Sequence, residues 1–127
     1  MAKSRILGGV IEYKRTHGAE EMNEKIKHFV EEVKEYLIKT YGEKIKQVMV
    51  YGSYARGEAT EESDIDVLIV VDDSLNPFAV RKSLSDILFD ILLENGELIS
   101  VIAIPESFFK NYNSPFLLNV KEEGVAV

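Results

Sequence analysis

Two aspartates, a glycine–serine pair and an arginine fall within fifteen residues, GSYARGEATEESDID, at positions 52–66. Asp64 and Asp66 stand one residue apart at the head of an apolar run, VLIVV. Alternate residues of a β-strand point to one face, so these side chains would leave the backbone about 6.6 Å apart. Adjacent carboxylates repel unless a cation lies between them, and oxygen ligands select Mg²⁺ or Mn²⁺. The pair therefore predicts a divalent-metal site. The alternative is that the two aspartates are solvent-exposed residues at the start of a strand and have no ligand.

Gly52, Ser53 and Arg56 predict an anion site beside that pair. A glycine at a strand end lets the backbone approach a ligand closely. The following SYARG can begin a helical turn whose free N–H groups, with the Ser53 hydroxyl, form a phosphate cradle. Arg56 lies about one turn on and could reach the same anion. The alternative is a hairpin-like turn with Arg56 paired to nearby glutamates: Glu58, Glu61 and Glu62.

The two predicted sites together suit a nucleoside triphosphate. Gly52, Ser53 and Arg56 would hold the phosphates, and a cation on Asp64 and Asp66 would neutralise them. Attack on the α-phosphorus in line with departing pyrophosphate is the reaction that such a site favours.

Composition limits the alternatives. With 127 residues, the chain is expected to form a single domain, 1–127. A net charge of −7 argues against direct nucleic-acid binding, so phosphate binding must be local. The absence of cysteine excludes disulfides and thiol nucleophiles and fits a reducing compartment. The longest apolar run, 67–71, is too short to cross a membrane, and no signal peptide is evident, so a cytoplasmic location is expected.

Hydrophobic periodicity predicts the elements that must position these residues. The predictions are a helix over 20–40, strands over 45–51, 64–71 and 98–104, a helix from Asn76–Pro77 to Asn95–Gly96, short helices in PESFFKNY and PFLLNVKEEG, a last strand in VAV, and a short strand or hairpin in ILGGVIEY within residues 1–19. The predicted fold class is α/β (α+β), a small mixed sheet flanked by helices in two or three layers. The short link between the first two strands excludes a helical crossover, and no Rossmann or P-loop glycine motif is present.

The stretch GSYARGEATEESDIDVLIV resembles the signature of the minimal nucleotidyltransferases, small members of the polymerase-β-like superfamily. The matching positions are Gly52, Ser53, Ala55, Arg56, Gly57, Ser63, Asp64 and Asp66. The resemblance extends over residues 20–104 and implies the nucleotidyltransferase fold. It also implies that Asp64 and Asp66 are the catalytic residues and that they bind Mg²⁺ (or Mn²⁺). It implies transfer of a nucleoside monophosphate from an NTP, with ATP expected, to a hydroxyl of a protein or small molecule. Some relatives act with a small helical partner as antitoxins that adenylylate it on tyrosine.

One feature of the family is missing. A third carboxylate usually lies in the next strand, here ELISVIAIPE, near Ser100 or Val101, and neither is acidic. Glu97 could supply it; the favoured interpretation is a solvated residue beside Gly96. A catalytically weak interaction module, the antitoxin-like partner of a helical protein, is therefore the alternative function, and a homodimer is possible.

Four further side chains have a structural and a functional interpretation. Arg81 and Lys82 are expected to be an exposed basic pair, the alternative being contact with a triphosphate tail. Tyr51 and Tyr54 flank the glycine turn, where they could contact a base or ribose or simply pack.

Overall fold

The computed structural model describes residues 23–60 and 63–127 of the chain. Its elements are α1 (Asn23–Tyr41), a 3₁₀ turn (Gly42–Lys44), β1 (Ile45–Tyr51), α2 (Ser53–Arg56), β2 (Ile65–Val71), α3 (Pro77–Ser83), α4 (Ser85–Asn95), β3 (Ile99–Pro105), α5 (Glu106–Asn111), α6 (Pro115–Glu123) and β4 (Val125–Ala126). The predictions for ILGGVIEY, for a helix start at Glu20 and for Glu61 and Glu62 lie outside the described residues. None of the helices described is long and apolar enough to span a membrane.

The four strands form one mixed sheet in the order β3-β2-β1-β4. β1 pairs antiparallel with β2 and β4, whereas β2 and β3 run parallel. The predicted mixed sheet is confirmed, as is the absence of a helical crossover between β1 and β2. In the register, Asp66 lies between Tyr51 of β1 and Ser100 of β3.

The larger core lies between one face of the sheet and helices α1, α3 and α4. The buried residues of α1 recur at spacings of three and four, as predicted: Ile26, Phe29, Val30, Val33 and Leu37. They pack against alternate residues of β2 and β3, among them Val67, Ile69 and Val101.

A smaller core covers the other face of the sheet. Leu68 and Val70 of β2 pack there with Met49 of β1 and with Val120 of α6, and Phe109 of α5 adds to it. Because β2 is covered on both faces, its run of apolar residues needs no polar alternation. The molecule therefore has three layers, with the residues of the glycine turn and the two aspartates at one end of the central strands.

The helix predicted over 76–95 is two helices that meet at Leu84. Asn76 caps α3 by accepting from the backbone N–H groups of the second and third residues after it. At the junction the Ser83 hydroxyl donates to the carbonyl of Val80 at 2.7 Å, and the Ser85 hydroxyl donates to the carbonyl of Lys82 at 2.8 Å. Serine hydroxyls that bond preceding carbonyls compete with the helical ladder, which explains the interruption that periodicity alone did not predict.

Candidate functional site

Gly52 brings the start of α2 against the carboxylate of Asp66. Its backbone has φ 79° and ψ −153°, a region that only glycine adopts without strain. A Cβ built on Gly52 would lie 3.3 Å from Cγ of Asp66 and still closer to its Oδ2. The glycine is therefore required twice, for the backbone angle and for the close approach. The contact between Gly52 and Asp66 places the predicted phosphate cradle directly beside the predicted metal site.

Asp64 and Asp66 form a pair whose charges interact. Asp66 is half-buried and Asp64, which directly precedes β2, is exposed. Burial raises the pKa of the Asp66 carboxyl, the negative charge of Asp64 raises it further, and the Arg56 guanidinium opposes both. A cation bound between the two carboxylates would offset both effects and favour the ionised form of Asp66.

The chemistry of this donor set fits a magnesium ion shared with a ligand. Within residues 23–60 and 63–127, no group of three or more histidine, cysteine or acidic side chains is arranged to hold a metal. Two carboxylates with oxygen donors suit Mg²⁺, which commonly keeps one or two protein carboxylates and takes its remaining oxygens from phosphates and water. The pair would therefore suit a metal ion shared with phosphate oxygens better than one enclosed entirely by protein ligands.

Arg56 lies beside this site but is held by two glutamates. Its Nε donates to Glu58 and its Nη1 donates to Glu123 of α6, each at 3.0 Å. These hydrogen bonds raise the pKa of Arg56. The alternative interpretation of the sequence included Glu58 among the expected partners of Arg56, but nothing in the sequence indicated Glu123, which is 67 residues away. The Arg56 side chain remains 41% exposed, so an incoming anion can reach it.

Glu97 is not the solvated residue that the sequence favoured. Its side chain is 14% exposed and forms an ion pair with Lys25 of α1, with 2.7 Å between Oε2 of Glu97 and Nζ of Lys25. Glu97 also has the parity of Ile99 and Val101, which face the larger core, because alternate residues of a strand share a face. Ser100 is the register partner of Asp66 and shares its face. The position that would complete a carboxylate triad is therefore occupied by a hydroxyl.

A groove beside Asp64 contains a residue that the sequence set aside. The groove has a volume of about 270 Å³ and is lined by Asp64, Arg81, Ser85, Leu88, Leu98 and Ser100, among others. Arg81 is exposed, as expected, and its Nε donates to the carbonyl of Val101 at 2.9 Å. Nothing in the local pattern of RKS distinguishes Arg81 from Lys82. Only the packing of α3 beside β3 brings it to the groove.

The two tyrosines beside the glycine turn take packing roles. The Tyr51 ring meets Phe116 of α6 edge-on, with centroids 5.4 Å apart. Tyr54 packs against the larger core. Burial, and then the charge of Asp66, raises the pKa of Tyr51. Burial raises the pKa of Tyr54, followed by the charge of Glu97.

The fold, the glycine turn and the carboxylate pair define a nucleotide-transferring class of protein, and comparison with known proteins agrees. The family described as "Nucleotidyltransferase domain" matches residues 26–125. The chain belongs to this family, and the expectation of a nucleotidyltransferase enzyme is confirmed.

Two relatives from Methanocaldococcus jannaschii, each carrying the name "Putative protein adenylyltransferase", match most of the chain. One is 42% identical over 106 residues, which cover 81% of this chain and 96% of the relative. The other is 33% identical over 107 residues, which cover 84% of this chain and 99% of the relative.

Two crystal structures share the fold. One, described as "a putative nucleotidyltransferase from Sulfolobus solfataricus", superposes with a TM-score of 0.58 at 20% identity, covering 94% of this chain and 89% of that one. A toxin–antitoxin complex with AMP-PNP gives a TM-score of 0.50 at 17% identity, covering 76% of this chain and 70% of the matched one. The predicted nucleotidyltransferase fold is confirmed.

Proposed function

We propose that this chain binds ATP with Mg²⁺ or Mn²⁺ and transfers the nucleoside monophosphate to a hydroxyl of a protein or small molecule, releasing pyrophosphate. The observation that carries the proposal is the approach of Gly52 to Asp66, because it makes the cradle and the carboxylate pair one site. The names of the relatives, protein adenylyltransferases, support ATP as donor and a protein as acceptor.

Each residue of the site has a separate task in this reaction. The N–H groups at the start of α2 and the Ser53 hydroxyl bind phosphate oxygens, since a first helical turn leaves its N–H groups without helical acceptors. Arg56 gives up the hydrogen bond to one of its two glutamate partners and binds a phosphate oxygen instead. Asp64 and Asp66 hold the divalent cation, which when bound supplies positive charge against the phosphates.

The test is calorimetric titration of ATP and of GTP, each with and without Mg²⁺, together with a pyrophosphate-release assay. We expect metal-dependent ATP binding in the wild type and loss of binding and release in Asp64→Asn/Asp66→Asn. The matched control is Asp86→Asn/Asp90→Asn, which removes the same charge from exposed positions of α4. Binding that survives in the site variant, or that disappears equally in the control, would exclude this site.

A second candidate function is supported by Ser100. With a hydroxyl opposite Asp66, the chain has two carboxylates where the resemblance implies three. A catalytically weak module that binds a small helical partner, as in antitoxins, would tolerate this change, and the fold is shared with a toxin–antitoxin complex. In that case partner binding would survive Asp64→Asn/Asp66→Asn and pyrophosphate release would be absent from the wild type.

A further inference from the structure

The three parts of the site follow one another across the sheet. The cradle follows β1 at Gly52, the carboxylates stand at the start of β2, and the groove with Arg81 lies beside β3. Since β2 lies between β1 and β3, the cradle and the groove are on opposite sides of Asp64 and Asp66. This order determines where a second substrate can enter.

In-line displacement requires the attacking oxygen and the leaving group to lie on opposite sides of the phosphorus. With the outer phosphates on the β1 side, at the cradle, the attacking oxygen must approach from the β3 side. The groove beside β3 is where that approach leads. Its walls combine the exposed Leu98, the half-buried Leu88 and the hydroxyls of Ser85 and Ser100. Such walls suit a hydroxyl on a small, partly apolar group.

The charge of the groove comes from Arg81 and Asp64. Among the residues described as lining it, Asp64 is the sole carboxylate and no histidine contributes, so no second base faces an incoming hydroxyl. Arg81 uses Nε to bond the carbonyl of Val101, which leaves the N–H groups of its terminal nitrogens for a ligand. A guanidinium beside a hydroxyl favours the ionised form of that hydroxyl.

We propose that this groove is the acceptor site of the transfer reaction and that Arg81 binds the acceptor oxygen as it gains negative charge. The inference rests on the proposed function and adds a residue to it. The acceptor oxygen forms a bond to the α-phosphorus while the bond from that phosphorus to the bridging oxygen breaks. The electron pair of the broken bond leaves with pyrophosphate, and the hydroxyl proton passes to water.

The experiment uses phenols of graded acidity as acceptor probes, because their size suits the groove and their hydroxyl pKa values differ. Phenol, 4-fluorophenol and 4-nitrophenol are each incubated with Mg²⁺–ATP, and the adenylylated phenol is measured by mass spectrometry. The variants are Arg81→Gln, Arg81→Lys and the neighbouring control Lys82→Gln, which removes an exposed charge from the same helix.

In Arg81→Gln we expect transfer to phenol to fall about tenfold or more, because one donor to a developing oxyanion is lost. The loss should shrink for 4-nitrophenol, which ionises without assistance. Arg81→Lys should recover part of the rate, and Lys82→Gln should match the wild type. The affinity for Mg²⁺ with α,β-methylene-ATP, measured by calorimetry, should change less than about twofold in Arg81→Gln, since the cradle lies on the other side of the carboxylates.

A second measurement does not depend on turnover. The fluorine resonance of 4-fluorophenol follows ionisation of its hydroxyl and can be titrated with pH on protein saturated with Mg²⁺ and α,β-methylene-ATP. We expect bound 4-fluorophenol to ionise at lower pH on the wild type than on Arg81→Gln. Equal values would overturn the role of Arg81.

The outcomes separate the two proposals. An equal loss for all phenols, no loss in Arg81→Gln, or a parallel loss of nucleotide affinity would overturn the acceptor role of Arg81. Pyrophosphate release by the wild type without transfer to any phenol would overturn the acceptor groove and leave the proposed function standing. Absence of both Mg²⁺–ATP binding and pyrophosphate release would overturn the proposed function itself.

Discussion

Replacing Gly52 by alanine should destabilise the fold through its contact with Asp66. An alanine with the backbone angles of Gly52 carries strain of about 1–3 kcal/mol. Its Cβ also collides with the Asp66 carboxylate, which must rotate away from a favoured conformation at about 0.5–1.5 kcal/mol. The free energy of unfolding should therefore fall by about 1.5–4.5 kcal/mol.

The two contributions can be separated by a double-mutant cycle. In an Asp66→Ala background the colliding carboxylate is absent, and the nearest remaining atom of residue 66 is its Cβ, at 3.5 Å, an ordinary contact. In this background the loss of unfolding free energy caused by Gly52→Ala should be smaller by about 0.5–1.5 kcal/mol, because the Asp66 carboxylate no longer has to rotate. The backbone strain should be the same in both backgrounds.

The assay is urea unfolding followed by far-ultraviolet circular dichroism, because the chain has no tryptophan to report by fluorescence. Gly42→Ala is the control: its φ is also positive, at 62°, and no atom lies within 4 Å of the added Cβ. Gly42→Ala should lower the free energy of unfolding by about 1 kcal/mol, with or without the Asp66 carboxylate. An equal cost of Gly52→Ala with and without the Asp66 carboxylate would refute the collision and leave only the backbone angle.

Three further predictions concern the charges of the site. Because the pKa of Asp66 is raised in the fold, its ionised form is disfavoured, so Asp66→Asn should raise the thermal midpoint at pH 7. The gain should shrink as the pH falls and vanish below about pH 3, where the folded and unfolded chains both hold the proton; no gain at pH 7 would contradict the argument. In calorimetry, Glu123→Gln should tighten Mg²⁺–ATP binding about twofold to fivefold, because it removes one partly exposed carboxylate that competes for Arg56, whereas weaker binding would mean that Glu123 positions Arg56. Ser100→Asp should tighten Mg²⁺ binding measured without nucleotide and lower stability by placing a third carboxylate opposite Asp66; unchanged metal affinity would show that residue 100 does not face the ion.

Much of the site was predictable because its parts are close in sequence. The glycine, the serine and the two alternating aspartates lie within fifteen residues, so strand and helix geometry alone relates them to one another. The apolar runs on either side of this stretch predict the strands at whose ends these residues lie. The α2 turn and the antiparallel pairing of β1 with β2 follow from the same local rules. These features depend on backbone geometry, which repeats every two or 3.6 residues.

Partners that are distant in the chain required the tertiary structure. The sequence pointed to Glu58 for Arg56, but Glu123 reaches it only because α6 packs across the sheet. On the opposite face of the sheet, the packing of α1 pairs Glu97 with Lys25, and the packing of α3 brings Arg81 to the carbonyl of Val101. Charged side chains carry no periodic signal that names a partner, so local pattern could not distinguish Arg81 from its neighbour. The sequence by itself determined the type of chemistry at residues 52–66, whereas the three-layer packing decided which charges surround it and from which side a second substrate can arrive.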